Sequence, residues 1–335
     1  MTMRRLTLLL VALALAAAAT SASFAALAPG DYEVALTHKS LARSYLVHVP
    51  PKASEGAPLP VIVNFHGGGS NAKTQKWYTR MDAASDRDGY IAVYPNGSGG
   101  IGTRFLTWNA GSCCGVSVLN GVDDVGFTLA VLDDLARRAY VDPARVYVTG
   151  LSNGSMMAYR VAAEASERIA AAGGVAGAMT LNGFKPKVPV PVMHIHSLDD
   201  ELALYTGGFG PLFPLGDTRV FHTSVEGMLK KWIAHNGCPA QGSVAALVTG
   251  APGPDARHTA NRVVHAPCRD GVEVVLWKLA GPGHVWPGGQ RDFMPLLLGT
   301  SSAVIDANRE LWQFFSRFRR ETSSAKSGLR PAIRP

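Results

Sequence analysis

Val146-Tyr147-Val148-Thr149-Gly150-Leu151-Ser152-Asn153-Gly154-Ser155-Met156-Met157 is the stretch from which the rest of the chain can be read. The run from Val146 to Thr149 is β-branched and aromatic and reads as a strand. From Ser155 to about Ala165 the pattern turns helical. Two glycines flank a serine at the junction, Gly150-x-Ser152-x-Gly154. A strand that turns straight into a helix needs a tight backbone, and glycines leave room for one. A serine at the apex of that turn stands clear of the sheet, with its hydroxyl free to react. The motif alone is short enough to arise by chance as a loop serine; its place between strand and helix gives it meaning.

Outward from this turn, strand and helix alternate. Residues 43–49 and 61–65 read as strands, and 91–94 as a third, stopped by Pro95-Asn96-Gly97. A helical stretch at about 74–87 lies between the last two. Helical periodicity returns at 124–139, with Asp123 or Asp124 placed to cap it. Later come a buried strand at 190–195, a helix near 220–235, a strand at 272–279 and a closing helix near 303–315. The repeated βα pattern has no Pro/Ser linker and no internal repeat. It implies the α/β class: a doubly wound, mostly parallel sheet in a single domain over about residues 30–316.

Of the 335 residues, 47% are hydrophobic and 17% charged, as expected of a globular chain and not of a disordered one. Arg4 and Arg5, an apolar stretch at 6–19 and small residues to about Ala26 follow the order of an export signal, so residues 1–25 are expected to be removed. No later segment has the length of an apolar membrane span, so no stable membrane anchor is expected. The net charge of +7 falls to +5 without Arg4 and Arg5, and the excess sits in residues 317–335, which carry six basic residues and one acidic one. That segment reads as a basic, solvated tail, and no nucleic-acid partner is called for. Oligomeric state is not readable.

Four cysteines are present, Cys113, Cys114, Cys238 and Cys268. An oxidising compartment lets them pair, in any of three connectivities. Cys238 with Cys268 is the preferred bridge because both fall in late loop segments, leaving Cys113 and Cys114 as a vicinal pair. No CxxC spacing supports a zinc site.

A serine hydroxyl is a poor nucleophile until a base takes its proton and an acid orients that base. For such a turn the expected chain order is Ser, then acid, then His, with both partners on loops after later strands. Gly281-Pro282-Gly283-His284-Val285-Trp286 places His284 just after the strand at 272–279. His38, His222, His235, His258 and His265 read as surface or packing residues, and His48 lies on an early strand. The strand at 190–195 runs into His196-Ser197-Leu198-Asp199-Asp200, which puts two carboxylates at its end. Asp200 is preferred, although composition does not separate it from Asp199. His194 and His196 share one strand face in a way that suits a metal, but no partnering ligand spacing accompanies them. Neither a metal nor an organic cofactor is expected. His66-Gly67-Gly68-Gly69 follows the strand at 61–65, where Gly68 can donate its N–H to a developing oxyanion together with that of Asn153.

With these residues in place, the chain resembles the secreted esterase family that includes type 1 poly(3-hydroxybutyrate) depolymerases, LpqC-like esterases and bacterial feruloyl esterases. The likeness runs over about residues 40–315. It is carried by His66 to Asn71, Thr107-Trp108-Asn109-Ala110-Gly111-Ser112-Cys113-Cys114-Gly115, Val122 to Phe127, Val141 to Tyr147, Gly150 to Met157 and Gly283 to Gly288. The resemblance implies the α/β-hydrolase fold, Ser152 as nucleophile, His284 as base and Asp200 as acid. By the same resemblance Trp108 and Trp286 could line an acyl or aromatic pocket, with core packing the equal alternative for each. The acid loop departs from the family's His-Gly-Thr-x-Asp-Pro at Ser197, Leu198 and Glu201, and Pro282 replaces a common glycine. The expected function is an exported serine carboxylic-ester hydrolase acting through an acyl-enzyme on poly(3-hydroxybutyrate)-type oligomers or related soluble esters. The alternatives are a feruloyl or acetyl esterase of plant polysaccharide, an acyltransferase, and a non-catalytic exported binding protein of the same fold.

Overall fold

Strand and helix follow one another along the chain as β1 (Gly30–His38), β2 (Leu41–Val49), β3 (Leu59–Phe65), α1 (Ala72–Thr79), α2 (Met81–Asp88), β4 (Ile91–Pro95), α3 (Gly115–Leu119), α4 (Asp124–Ala136), β5 (Val141–Leu151) and α5 (Asn153–Glu164). The second half adds β6 (Ala171–Val175), β7 (Val192–Ser197), β8 (Gly208–Leu212), β9 (Arg219–His222), α6 (Val225–Asn236), β10 (Ser243–Thr249), β11 (Thr259–His265), β12 (Val274–Ala280), α7 (Pro295–Leu298) and α8 (Ala307–Phe315). The computed structural model describes residues 26–212 and 219–320, so the expected export signal lies outside the described residues.

Ten strands form one sheet in the order β1-β2-β4-β3-β5-β6-β7-β12-β11-β10. The central strands from β4 to β12 are parallel. The pairs β1–β2 and β2–β4 on one side, and β12–β11 and β11–β10 on the other, are antiparallel. Side chains alternate between two cores, as period-2 strands covered on both faces require. Val61, Val63 and Phe65 of β3 join Phe127, Val131, Val161 and Trp232 from α4, α5 and α6. Ile62 points the other way, among Met81, Ala84, Leu311 and Phe314 from α2 and α8. The sheet is therefore doubly wound, and the carboxyl ends of its parallel strands share one edge.

Several elements differ from the sequence reading. The helix expected at 74–87 is two helices, α1 and α2, broken at Arg80, whose φ of 53° is left-handed. Asn308 Nδ2 donates to the Thr79 carbonyl at 2.8 Å, supplying a partner where the helix ends. The helix expected from 220 starts at Val225, where the Ser224 side chain accepts from Gly227 N, and residues 219–222 form β9 instead. Strand β6, Ala171-Ala172-Gly173-Gly174-Val175, carried no sequence signal, being almost free of β-branched residues. Packing explains its composition: a Cβ on Gly173 would meet Leu311 and Phe315, and one on Gly174 would meet Ser155 and Tyr159.

Disulfides join Cys238 to Cys268 and Cys113 to Cys114. The basic segment expected to be a solvated tail from 317 begins bound to the body. Arg320 N–H donates to Ala144 O at 2.8 Å, and its guanidinium donates to Ile169 O at 2.7 Å and Pro189 O at 2.6 Å. Residues 321–335 lie outside the described residues. Among the described residues no helix is long and apolar enough to cross a membrane.

Candidate active site

Ser152 sits between the end of β5 and the start of α5 with φ 57° and ψ −123°. A non-glycine residue holds such angles only when its surroundings over-determine them. Here the Ser152 N–H donates to Val175 O at 2.9 Å, and its carbonyl accepts from Met156 N at 3.1 Å. A Cβ on Gly150 or on Gly154 would run into the Phe65 carbonyl, and one on Gly177 into the carbonyl of Ser152. The end of β3 and the segment after β6 thus grip the turn, and glycine is what lets them approach.

Asp200 follows β7 and His284 follows β12, so both stand on the same edge of the sheet as Ser152. His284 Nδ1 lies 2.7 Å from Asp200 Oδ2, and both residues are buried. The other carboxylate oxygen accepts from Leu202 N at 2.9 Å and Ala203 N at 2.8 Å. Burial by itself would raise the Asp200 carboxyl; the charge of His284, with hydrogen bonds from His196 and His284, outweighs it and holds the group well below the usual carboxylate range. With Nδ1 donating to that carboxylate, Nε2 is left as the basic nitrogen of His284. Asp199 faces elsewhere: its Oδ2 accepts from Gly281 N at 2.7 Å. The loop carrying His284 is pinned by His284 N to Leu298 O at 2.6 Å and Gly283 N to Thr300 O at 3.0 Å.

The glycine loop after β3 lies against the serine turn. The Cβ position of Gly67 is 3.5 Å from Ser152 Cβ, and that of Gly68 is 3.6 Å from Asn153 Cβ. His66 organises the loop. Its Nε2 accepts from Gly97 N at 2.9 Å, so Nδ1 carries the hydrogen and donates to Gly67 O at 2.8 Å. Full burial lowers the His66 imidazole to about 4, in keeping with this neutral form. The Gly67 carbonyl also accepts from Ser70 N at 3.2 Å. Because a trans peptide holds its C=O and N–H on opposite sides, these two donors fix the direction of the Gly68 N–H.

Trp108 and Trp286 are 0% and 2% exposed, in keeping with the core-packing alternative for each. Trp108 is a scaffold: its Nε1 donates to His66 O at 2.9 Å, and its backbone exchanges hydrogen bonds with the Asn153 side chain at 2.8 and 3.2 Å. Trp286 packs in the core beside α2 and α8, its backbone N–H donating to Tyr78 Oη at 3.1 Å. Exposed apolar residues in the segments that follow the strands include Ile101 and Phe105 after β4, Leu198 after β7, and Met294 and Leu296 after β12.

His222 on β9, read from sequence as surface or packing, is buried, and its Nδ1 has no hydrogen-bond partner. Burial, then the charge of His284, lowers its imidazole to about 4. Nothing local in the sequence marks it; the β8–β9 pairing brings it to the site. His194 and His196 do share a face, but they bond each other, His194 Nε2 to His196 Nδ1 at 2.9 Å, and this turns the facing nitrogens away from any metal. Among the described residues Asp31, His48 and Asp82 come close enough to hold an ion. Lys76 already ion-pairs with both of those carboxylates.

The family described as "Esterase PHB depolymerase" matches residues 43–209. The putative esterase NocK of Nocardia uniformis subsp. tsuyamanensis is 30% identical over 275 residues, which cover 77% of this chain and 75% of that protein. The bifunctional acetylxylan esterase/xylanase XynS20E of Neocallimastix patriciarum is 24% identical over 282 residues, 84% of this chain and 34% of the relative. Feruloyl esterase B of Piromyces equi is 26% identical over 253 residues, 74% of this chain and 44% of the relative. The chain therefore spans less than half the length of these last two relatives.

Proposed function

The chain belongs to the esterase PHB depolymerase family, and from that premise we propose that it is an exported serine ester hydrolase working through an acyl-enzyme on Ser152. Ser152 Oγ attacks the ester carbonyl as His284 Nε2 takes its proton. The tetrahedral oxyanion is held by the backbone N–H groups of Gly68 and Asn153. His284 then returns the proton to the leaving alcohol, and the same base activates a water that releases the acid. Asp200 keeps His284 in the tautomer this requires. The observation that carries the reading is the 2.7 Å contact between His284 Nδ1 and Asp200 Oδ2, on the edge where Ser152 is held out of the sheet.

For substrate, we take soluble 3-hydroxybutyrate-type oligomers or related esters first, supported by the family match. The names of the acetylxylan and feruloyl esterase relatives favour a second reading, an acyl ester on plant polysaccharide. Measuring release of 3-hydroxybutyrate oligomers against release of ferulate and acetate decides between them. Ser152→Ala is expected to abolish p-nitrophenyl ester hydrolysis and fluorophosphonate labelling; full activity in that variant refutes the mechanism.

A further inference from the structure

Three buried side chains run up to Asp200 in a line. Tyr159 Oη on α5 lies 2.8 Å from His194 Nδ1. His194 Nε2 is 2.9 Å from His196 Nδ1. His196 Nε2 is 2.7 Å from Ala203 O and 3.3 Å from Asp200 Oδ2. A carbonyl only accepts, so His196 Nε2 carries a hydrogen. In a neutral imidazole the other nitrogen is then a lone pair, so His194 Nε2 must donate to it, and the Tyr159 hydroxyl must donate to His194 Nδ1. Every hydrogen in the line points from Tyr159 towards Asp200.

A competing arrangement exists. If the Tyr159 hydroxyl turned to Met193 O, 3.1 Å away, His194 would change tautomer and His196 would hold both of its hydrogens as an imidazolium. That would set a second positive charge against Asp200. Of the two contacts of the Tyr159 hydroxyl, the one to His194 Nδ1 is the shorter, 2.8 Å against 3.1 Å to Met193 O, which favours the first arrangement. Complete burial, with His196 adding to it, also holds the His194 imidazole well below its ordinary value, so that ring carries a single hydrogen. The titratable groups facing the line are Asp200, His284 and His222, together with Tyr205, which packs edge-on against His196 and donates to Glu226 at 2.6 Å.

We propose that Tyr159 and His194 lock His196 as a neutral Nε2–H donor, which braces Asp200 without neutralising the charge His284 draws on. The three are positioning residues; none is placed to touch the ester. The proposal rests on the reading of Asp200 and His284 given above. Its first test, however, needs no turnover. In the ¹⁵N-labelled full chain, the long-range proton–nitrogen spectrum at neutral pH is expected to show His194 and His196 both neutral and protonated at Nε2. An imidazolium pattern, or an Nδ1–H tautomer on either ring, overturns the proposal.

The second test is kinetic. Tyr159→Phe is expected to lower kcat about 10-fold with little change in KM, as loss of a partner behind a working group commonly does. It is also expected to move the acid limb of the kcat profile to lower pH, because an imidazolium at His196 offsets the Asp200 charge that favours protonated His284. His196→Gln keeps an N–H donor and is expected to recover most of what His196→Leu loses; equal loss in the two overturns the proposal. If a variant fails to fold, the spectrum of the unaltered chain still decides. Absence of fluorophosphonate labelling at Ser152 would sink the hydrolase reading while leaving the tautomer result standing, so the two failures are told apart.

Discussion

Asp199 and Asp200 are adjacent carboxylates with different partners, and composition alone does not distinguish them. Asp199 accepts from the backbone of Gly281, whereas Asp200 meets the imidazole of His284. Asp200→Asn is therefore expected to lower kcat by roughly 10³ to 10⁴, because the amide favours the wrong His tautomer, with the fold intact. Asp199→Asn is expected to cost less than about tenfold, since it loosens one loop contact of a kind worth about 1 kcal/mol. Steady-state hydrolysis of a p-nitrophenyl ester by the two variants checks both values. His66 supplies a pH test. Its folded value of about 4 lies below the ordinary 6.5, so the unfolded chain binds the proton first as pH falls. Stability is full above pH 6.5 and is lost as pH drops from 6.5 to 4, by up to about 3 kcal/mol for this one group. His66→Gln, which can keep both hydrogen bonds but cannot titrate, is expected to show a shallower fall in chemical-denaturation midpoint across that window.

Among the elements, the turn from β5 to α5 and the glycine loop after β3 make opposite predictions for the same substitution. A Cβ on Gly154 would strike the carbonyls of Phe65 and His66, neither of which can move without displacing β3. Gly154→Ala is expected to cost about 3 kcal/mol or more, from overpacking against backbone. The Cβ position of Gly68 has ordinary room, 3.6 Å from Asn153 Cβ, so Gly68→Ala is expected to keep the native Tm. Thermal unfolding of the two variants side by side reads the contrast. Strand β6 is the element the sequence hid. Its alanines and glycines carry no strand propensity, yet they are the residues that let α5 and α8 close on the two faces of the sheet.

For the molecule as a whole, the bridge between Cys238 and Cys268 spans 30 residues and ties the end of α6 to the loop before β12. Chain-entropy reasoning puts its removal at about 3 to 4 kcal/mol. Cys238→Ser with Cys268→Ser is expected to lower the denaturation midpoint of the oxidised protein and to change that of the reduced protein little. The parallel strands also account for how distant residues share one edge. Ser152, Asp200 and His284 come from loops after β5, β7 and β12, and the sheet order sets those strands near one another with their carboxyl ends aligned.

Local features are legible in the chain: the strand-to-helix turn at Ser152, the glycine loop after β3, the order of Ser, Asp and His, and the βα alternation that makes the sheet. Each is written in neighbouring residues, as a period, a glycine pair or a residue at a strand end. Which side chains meet follows from packing. It gave Asp199 and Asp200 different partners, buried Trp108 and Trp286, brought His222 near His284 and lined up Tyr159, His194 and His196. Those contacts join residues far apart in the chain, or facing partners that no period encodes, and their energies come from burial and hydrogen bonds that exist only after the strands have packed.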